Sequence, residues 1–243
     1  KNDRKDLSQY AIDLTNLNHV SPTHKWVSEA GQWDHAVQSY LASVTFADHC
    51  LGLVLDALES SAYGNNTVIA LFSDHGFHLG EKERWAKRSL WEDGTRVPII
   101  VSAPGYKKDQ RSERPAELLD VFPTLLELAG LPADPTQEGQ SLVPLMKDTK
   151  REWNHPAITS FGLGNYSVRS TRYRFIQYFD GSRELYDLSK DPHEWKNLAA
   201  DPKNKSIIEE HAAHLPKKQH PVLPGRSTGH AAYGAANANI KKN

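Results

Sequence analysis

The sequence predicts an α/β protein: a layered sheet with flanking helices, followed by a small antiparallel sheet subdomain. Three observations predict it. A helical apolar face precedes a short, continuous apolar run. A long polar stretch then leads to a second such run and another helix. Near residue 155 the texture changes to short β-prone runs separated by turn residues. Helix–strand–loop–strand–helix order is that of an α/β layer.

Length and composition set the bounds. At 243 residues the chain can bury a sizeable core. Its 38% hydrophobic and 24% charged residues are ordinary for a globular protein. The net charge of −1 and the sparse lysines near the C-terminus give no field toward nucleic acid, so no nucleic-acid partner is expected. No apolar run reads as a membrane span, so no membrane is expected. A single cysteine, Cys50, excludes an internal disulfide. The opening Lys1-Asn2-Asp3-Arg4 shows neither initiator Met nor signal sequence and reads as a processed or truncated chain.

Residues 1–34 are polar, with Pro22 and Gly31 as punctuation, and read as an irregular lead-in. From Asp34, a candidate N-cap, the apolar residues Val37, Leu41, Val44, Leu51, Leu55 and Leu58 fall on one helical face. Asp48 on that helix reads as a structural carboxylate. Gly64-Asn65-Asn66 breaks the helix. Thr67–Phe72 is a β-prone apolar run that suits a strand buried on both faces of a parallel sheet. The polar segment 73–96 reads as a long functional loop. Val97–Val101 is a second buried strand, closed by Ala103-Pro104-Gly105. The spacing over Glu117–Ala129 predicts a helix with Pro123 in its first turn. Ala157–Phe161, Tyr166–Ser170, Tyr173–Phe179 and Glu184–Leu188 predict an antiparallel sheet, with a hairpin turn at Asp180-Gly181. Ile207–Leu215 reads as a last helix, and residues 216–243 as a flexible tail. The expected organisation is 1–34 lead-in, 35–150 α/β domain, 151–215 subdomain and 216–243 tail.

The candidate chemistry sits at the exit of the first strand, in Ser73-Asp74-His75-Gly76-Phe77-His78-Leu79-Gly80-Glu81 and Trp85-Ala86-Lys87. Asp74 and His75 offer a hard oxygen and a borderline nitrogen to a divalent cation. The plain alternative is an Asp turn beside a structural His. Gly76 favours the first reading, because it permits unusual backbone dihedrals. Lys87 can bind an anionic ester and offset charge on its leaving group; alone it would be a surface lysine. Arg96 can do similar work or pair with Glu92 or Asp93. His78 is a candidate substrate contact, a candidate support behind the site residues, or a surface histidine. Glu81 is a candidate hydrogen-bond acceptor or a surface acid.

These segments, together with Thr95-Arg96-Val97-Pro98, Ala103-Pro104-Gly105 and Glu184-Leu185-Tyr186-Asp187-Leu188 through Asn197-Leu198-Ala199, resemble the C-terminal half of type I sulfatases. The iduronate-2-sulfatase and choline sulfatase-like subgroup is the nearest in pattern. The resemblance implies an alkaline-phosphatase-like fold and hydrolysis of sulfate esters with Ca²⁺ and a formylglycine nucleophile. It implies that Asp74 and His75 supply part of the calcium shell and that Lys87 contacts the sulfate and bridging oxygen. It implies a sulfated sugar or small sulfate ester as substrate, and a secreted, periplasmic or lysosomal setting. The family's Cys-x-Pro/Ala-Ser-Arg motif and its Asp-Asp calcium ligands do not occur in this sequence, and Cys50 has a different context. The chain alone is therefore expected to be inactive and to need the N-terminal portion of the same sulfatase. A phosphomono- or phosphodiesterase of the same superfamily, and a non-catalytic polyanion-binding fragment, are the alternatives.

Overall fold

The computed structural model describes residues 3–16 and 22–219. Two compact units interleave in sequence. One comprises Lys1–Lys25, His75–Arg96 and Asn154–Asn243; the other comprises Trp26–Asp74 and Val97–Trp153. The partition thus follows contacts rather than the contiguous blocks expected from texture, and it joins segment 75–96 to the C-terminal subdomain.

Among the described residues the lead-in holds two short helices rather than irregular chain. Helix α1 (Gln9–Thr15) is capped by Ser8, whose hydroxyl accepts from the Ala11 N–H, and it buries Tyr10, Ala11 and Leu14. Helix α2 (His24–Glu29) crosses the boundary between the units. The second unit opens with α3 (Trp33–Glu59), which starts one residue before the expected cap; Asp34 lies in its first turn, where a carboxylate meets the positive end of the helix dipole. Strand β1 (Ile69–Phe72) follows. The segment read as a loop folds into a two-rung ladder of β2 (His78–Leu79) and β3 (Trp85–Ala86), then the short helix α4 (Glu92–Thr95).

Strand β4 (Ile99–Ser102) pairs with β1, and here the expectation fails. The pairing is antiparallel, Ile69 opposite Ser102 and Phe72 opposite Ile99, and both strands are only half-buried. A continuous apolar run carries no information on strand direction, so the parallel reading had no local support. The strand begins after Pro98, which has no N–H for the ladder. A 3₁₀ turn (Leu118–Asp120) leads into α5 (Val121–Leu128), with Pro123 in its first turn as the spacing predicts. Asp120 is fully buried and accepts from the Glu117 and Gln140 N–H groups, while Thr124 accepts from Leu142 N–H. These bonds stitch α5 to the segment leading to α6 (Val143–Lys147).

None of the α3 residues is buried, and Phe46 and Val54 are 69% and 65% exposed. Asp48 is likewise exposed, not the structural carboxylate expected. By length and composition α3 could cross a membrane, which the reading of apolar runs did not foresee; core helices of soluble proteins pass the same test.

The C-terminal strands match the expectation closely. β5 (Ala157–Ser160), β6 (Tyr166–Arg169), β7 (Tyr173–Gln177) and β8 (Arg183–Asp187) form one antiparallel sheet in sequence order. Gly181 has φ +86° in the β7–β8 turn, which explains glycine there. Alternation assigns each residue to a face. Ile176 and Tyr186 face a cluster with Tyr10, Leu14, Leu90 and Trp91. Val168, Phe175 and Leu185 face Ile208 on α7 (Lys205–Ala212). Asn165, one of three N-x-S/T sites, is buried and bonds Phe161 C=O and Phe179 N–H, so it builds a turn. Residues 220–243 of the expected tail lie outside the described residues.

A buried polar cluster fastens segment 89–94 to this sheet. Arg174 donates to Leu90 C=O at 3.0 Å and to Ser167 Oγ at 2.5 Å, and pairs with Glu92 and with Glu194 (2.7 Å). Glu194 also accepts from the Glu92 N–H, and Lys82 donates to its carbonyl. Burial pushes the Glu92 carboxyl up, but Arg174, Arg169 and Arg96 outweigh it and hold it below its ordinary range. For Glu194 burial wins over Arg174, and the carboxyl rises to about 7. The folded chain thus keeps a proton that the unfolded chain releases above its ordinary pKa of 4.5. The stability this group provides falls as pH rises from that value to about 7, then levels off. Urea unfolding of wild type and Glu194→Gln at pH 5, 6, 7 and 8 checks this. The wild-type advantage should shrink with pH by up to about 3 kcal/mol; a constant difference would refute it.

Candidate functional site

Asp74 lies two residues past the end of β1. His75 follows, and its ring is held at both nitrogens. Nδ1 is 2.8 Å from Gly76 C=O, and a carbonyl can only accept, so Nδ1 carries the proton. Nε2 therefore presents its lone pair, which faces Lys87 Nζ at 2.7 Å. A backbone carbonyl that fixes the tautomer leaves the other nitrogen ready for a cation or a donor.

Lys87 is presented by unusual backbone. Lys82, Glu83, Ala86 and Arg88 all have φ between 52° and 72°, the left-handed region that L-residues avoid. Such conformations persist only where surrounding contacts over-determine them, and they gather at functional sites. Here the contacts are visible. Arg84 is buried and donates twice to Lys87 C=O, at 2.7 and 3.2 Å, and once to Thr15 C=O on α1. Lys82 is buried, donates to Asp3 C=O at 3.2 Å and lies over the Trp91 and Tyr186 rings. No local pattern announces the contacts of Arg84 with Thr15 or of Lys82 with Asp3 and Glu194, because those partners lie far off in sequence.

Gly76 is required, but not for the reason expected. Its φ is not positive. A Cβ at this position would stand 2.1 Å from Asp93 C=O, and the Gly76 N–H donates to Gly94 C=O at 3.1 Å. Close approach to α4, not dihedral freedom, is what excludes a side chain.

His78 corrects the sequence reading. It has no exposed surface, so in this structure it is neither a surface residue nor a direct substrate contact. Its Nε2 is 2.7 Å from Ser89 Oγ, and its ring meets Trp91 edge-on. Burial, then the Arg84 charge, pushes its pKa down to about 3, so the ring is neutral. Arg96 is exposed and lies 3.8 Å from Glu92, the ion-pair alternative of the sequence reading. Glu81 is exposed and accepts from Leu79 N–H at 2.6 Å.

The comparisons with known proteins agree with one another. The Sulfatase family model matches residues 3–131. The chain belongs to the sulfatase family. A second model, N-sulphoglucosamine sulphohydrolase C-terminal, matches residues 80–221. A sulfatase of Formosa agariphila is 43% identical over 215 residues, covering 88% of this chain and 42% of that protein. A Delta 4,5-hexuronate-2-O-sulfatase of Bacteroides thetaiotaomicron is 30% identical, covering 88% and 48%. The structure of a 2-O GAG sulfatase superposes with TM-score 0.71 at 27% identity, over 84% of this chain and 46% of that one. The α/β part has the sulfatase, alkaline-phosphatase-like fold, with the small antiparallel sheet appended. The chain spans less than half the length of these curated relatives.

Gly76→Ala tests the packing of the site. The clash with Asp93 C=O should destabilise the first unit by about 2 kcal/mol or more. Urea unfolding followed by Trp fluorescence measures it. Gly52→Ala, inside α3 with nothing within 4 Å of the added Cβ, serves as the control and should stabilise its helix by up to about 1 kcal/mol.

Proposed function

We propose that this chain supplies part of the active site of a sulfuric ester hydrolase acting on a sulfated sugar. His75 and Asp74 would be metal ligands, Lys87 the substrate-binding cation, and the formylglycine nucleophile would come from the N-terminal portion of the same sulfatase. The observation that carries the reading is the Lys87–His75 contact at 2.7 Å, on a strained and clamped loop within the span matched to the sulfatase family. The hexuronate-2-O-sulfatase among its relatives supports a 2-O-sulfated uronate as substrate class. Family resemblance also underlies the proposal of a secreted, periplasmic or lysosomal setting.

The donor set fits a divalent cation in part. A carboxylate oxygen and a tautomer-fixed imidazole are good ligands, but Ca²⁺, the ion implied by the resemblance, takes six to eight. The remaining positions would belong to residues beyond this chain. A cation held there would neutralise negative charge on the ester oxygens. Lys87, with three rotatable donors, would bind the sulfate oxygens and offset charge building on the bridging oxygen as its bond to sulfur breaks. The Arg84 clamp holds the Lys87 backbone, so the ammonium is positioned before substrate arrives. Arg96 stays a peripheral candidate for substrate anions, and its pairing with Glu92 is long enough to yield.

The exposed apolar face of α3, with the exposed side of β1–β4, supports a partner portion. Leu53, Val54, Phe46, Phe72 and Ile100 are all exposed, more apolar surface than a lone domain tends to leave in water.

Coexpression with the upstream portion of a close sulfatase tests the proposal, with a 2-O-sulfated uronate disaccharide as substrate. Neither portion alone should release sulfate, and the pair should. Lys87→Ala should lower kcat of the pair by roughly 10²–10³-fold. Sulfate release by this chain alone, surviving Cys50→Ala, would overturn the assignment of roles. Val54→Asp changes a residue that is mostly exposed in this chain. It should leave the circular dichroism spectrum unchanged and prevent reconstitution of the pair.

A further inference from the structure

We propose that His78, Glu81 and Asp93 form a second divalent-cation site, distinct from the Asp74–His75 pair and suited to Zn²⁺ or Mn²⁺. All three residues belong to the first compact unit, on β2, the turn after it and α4. A ring nitrogen of His78 and one carboxylate oxygen from each of Glu81 and Asp93 lie within 4.8 Å of one another. That spacing lets one ion reach all three with small side-chain adjustments.

The imidazole supplies the independent observation. His78 has no exposed surface, and its Nδ1 is buried without a hydrogen-bond partner. Ser89 accounts for Nε2 but leaves Nδ1 unexplained. A buried polar atom without a partner costs about 1–3 kcal/mol, so structures rarely keep one. When Nε2–H donates to Ser89, Nδ1 keeps its lone pair, and the His78 ring lies beside the two carboxylates. Three acceptors then lie close together, with the Leu79 N–H meeting only one oxygen of Glu81. A cation is the group that satisfies such a set.

The surrounding charges agree. Asp93 is disfavoured as an anion by burial, then by Glu81 and Glu92, and a cation would relieve that. The cations that also face His78 have other partners: Lys82 donates to Asp3 and Glu194 carbonyls, and Arg84 to Thr15 and Lys87 carbonyls. His193 faces Asp93 from the C-terminal side. Glu81 accepts from Leu79 N–H, which orients its carboxylate at the turn.

The donor set selects the metal class. One imidazole and two carboxylates suit zinc-type ions; Mg²⁺ and Ca²⁺ favour oxygen-only shells. An ion here would staple the turn after β2 to α4, the two segments that flank the Lys87 loop. Its consequence would be stiffening of that loop rather than contact with substrate.

The test uses the full chain and Zn²⁺ alone, with no substrate, so it stands apart from the sulfatase reading. An Asp74→Asn/His75→Asn background removes the first pair. Isothermal titration of that background should still show one Zn²⁺ site, and Co²⁺ substitution should give visible d–d absorption. Adding Glu81→Gln or Asp93→Asn, both at accessible carboxylates, should weaken binding at least tenfold and abolish the Co²⁺ spectrum, with the circular dichroism spectrum retained. His78→Asn should do the same if it folds. Unchanged Zn²⁺ affinity in both carboxylate variants, or loss of all binding in the Asp74/His75 background, would overturn the proposal.

Discussion

Arg174 is the tie on which the first unit depends. Its guanidinium sits on the inner face of the C-terminal sheet and reaches Leu90 C=O, Ser167, Glu92 and Glu194. A planar fork of donors can hold several acceptors at fixed angles, which a lysine cannot. The acceptors come from three separate stretches of chain. One side chain thereby fixes where segment 89–94 lies against the sheet, and so where the preceding loop begins. Buried ion pairs of this kind add little net stability, but breaking one leaves an uncompensated charge. The cluster is therefore better understood as specifying an arrangement than as a source of folding energy.

A second buried carboxylate completes that face. Glu184 accepts from Trp91 Nε1, Tyr178 Oη and Tyr186 Oη, all at 2.8–2.9 Å. Burial raises its pKa against the pull of those three donors. Trp91 is thus anchored through its ring in the apolar cluster and through its N–H on the carboxylate. From this base the chain runs back to Lys87 through Arg88, and both Arg88 and Ala86, the neighbours of Lys87, are left-handed. The energy stored there is balanced by the Arg84 clamp and the buried Lys82. Strain, clamp and tie form one mechanical path from the C-terminal sheet to the candidate site. That path explains why the small antiparallel sheet belongs to the same compact unit as the segment 75–96.

The legibility of the sequence followed the range of the interactions involved. The four C-terminal strands and the Asp180-Gly181 hairpin were readable, because alternation and turn chemistry are local. The helices at α3 and α5 were readable from their period. The direction of β4 against β1 was not, since an apolar run looks the same either way. Helix α1 was missed because its apolar residues, Tyr10, Ala11 and Leu14, are few and become meaningful only against Leu90, Ile176 and Tyr178. His78 stands in a polar stretch of sequence, and only the folding of segment 75–96 buries it.

By itself the sequence determined the family, the α/β-plus-antiparallel plan and the positions of Asp74, His75 and Lys87, because each is written in short contiguous motifs. The tertiary structure alone decided the antiparallel sheet pairing, the inward fold of segment 75–96, the reason for Gly76 and the contact between Lys87 and His75. Those features arise where residues distant in the chain compete for the same space and the same hydrogen-bond partners. No local pattern can encode the outcome of that competition.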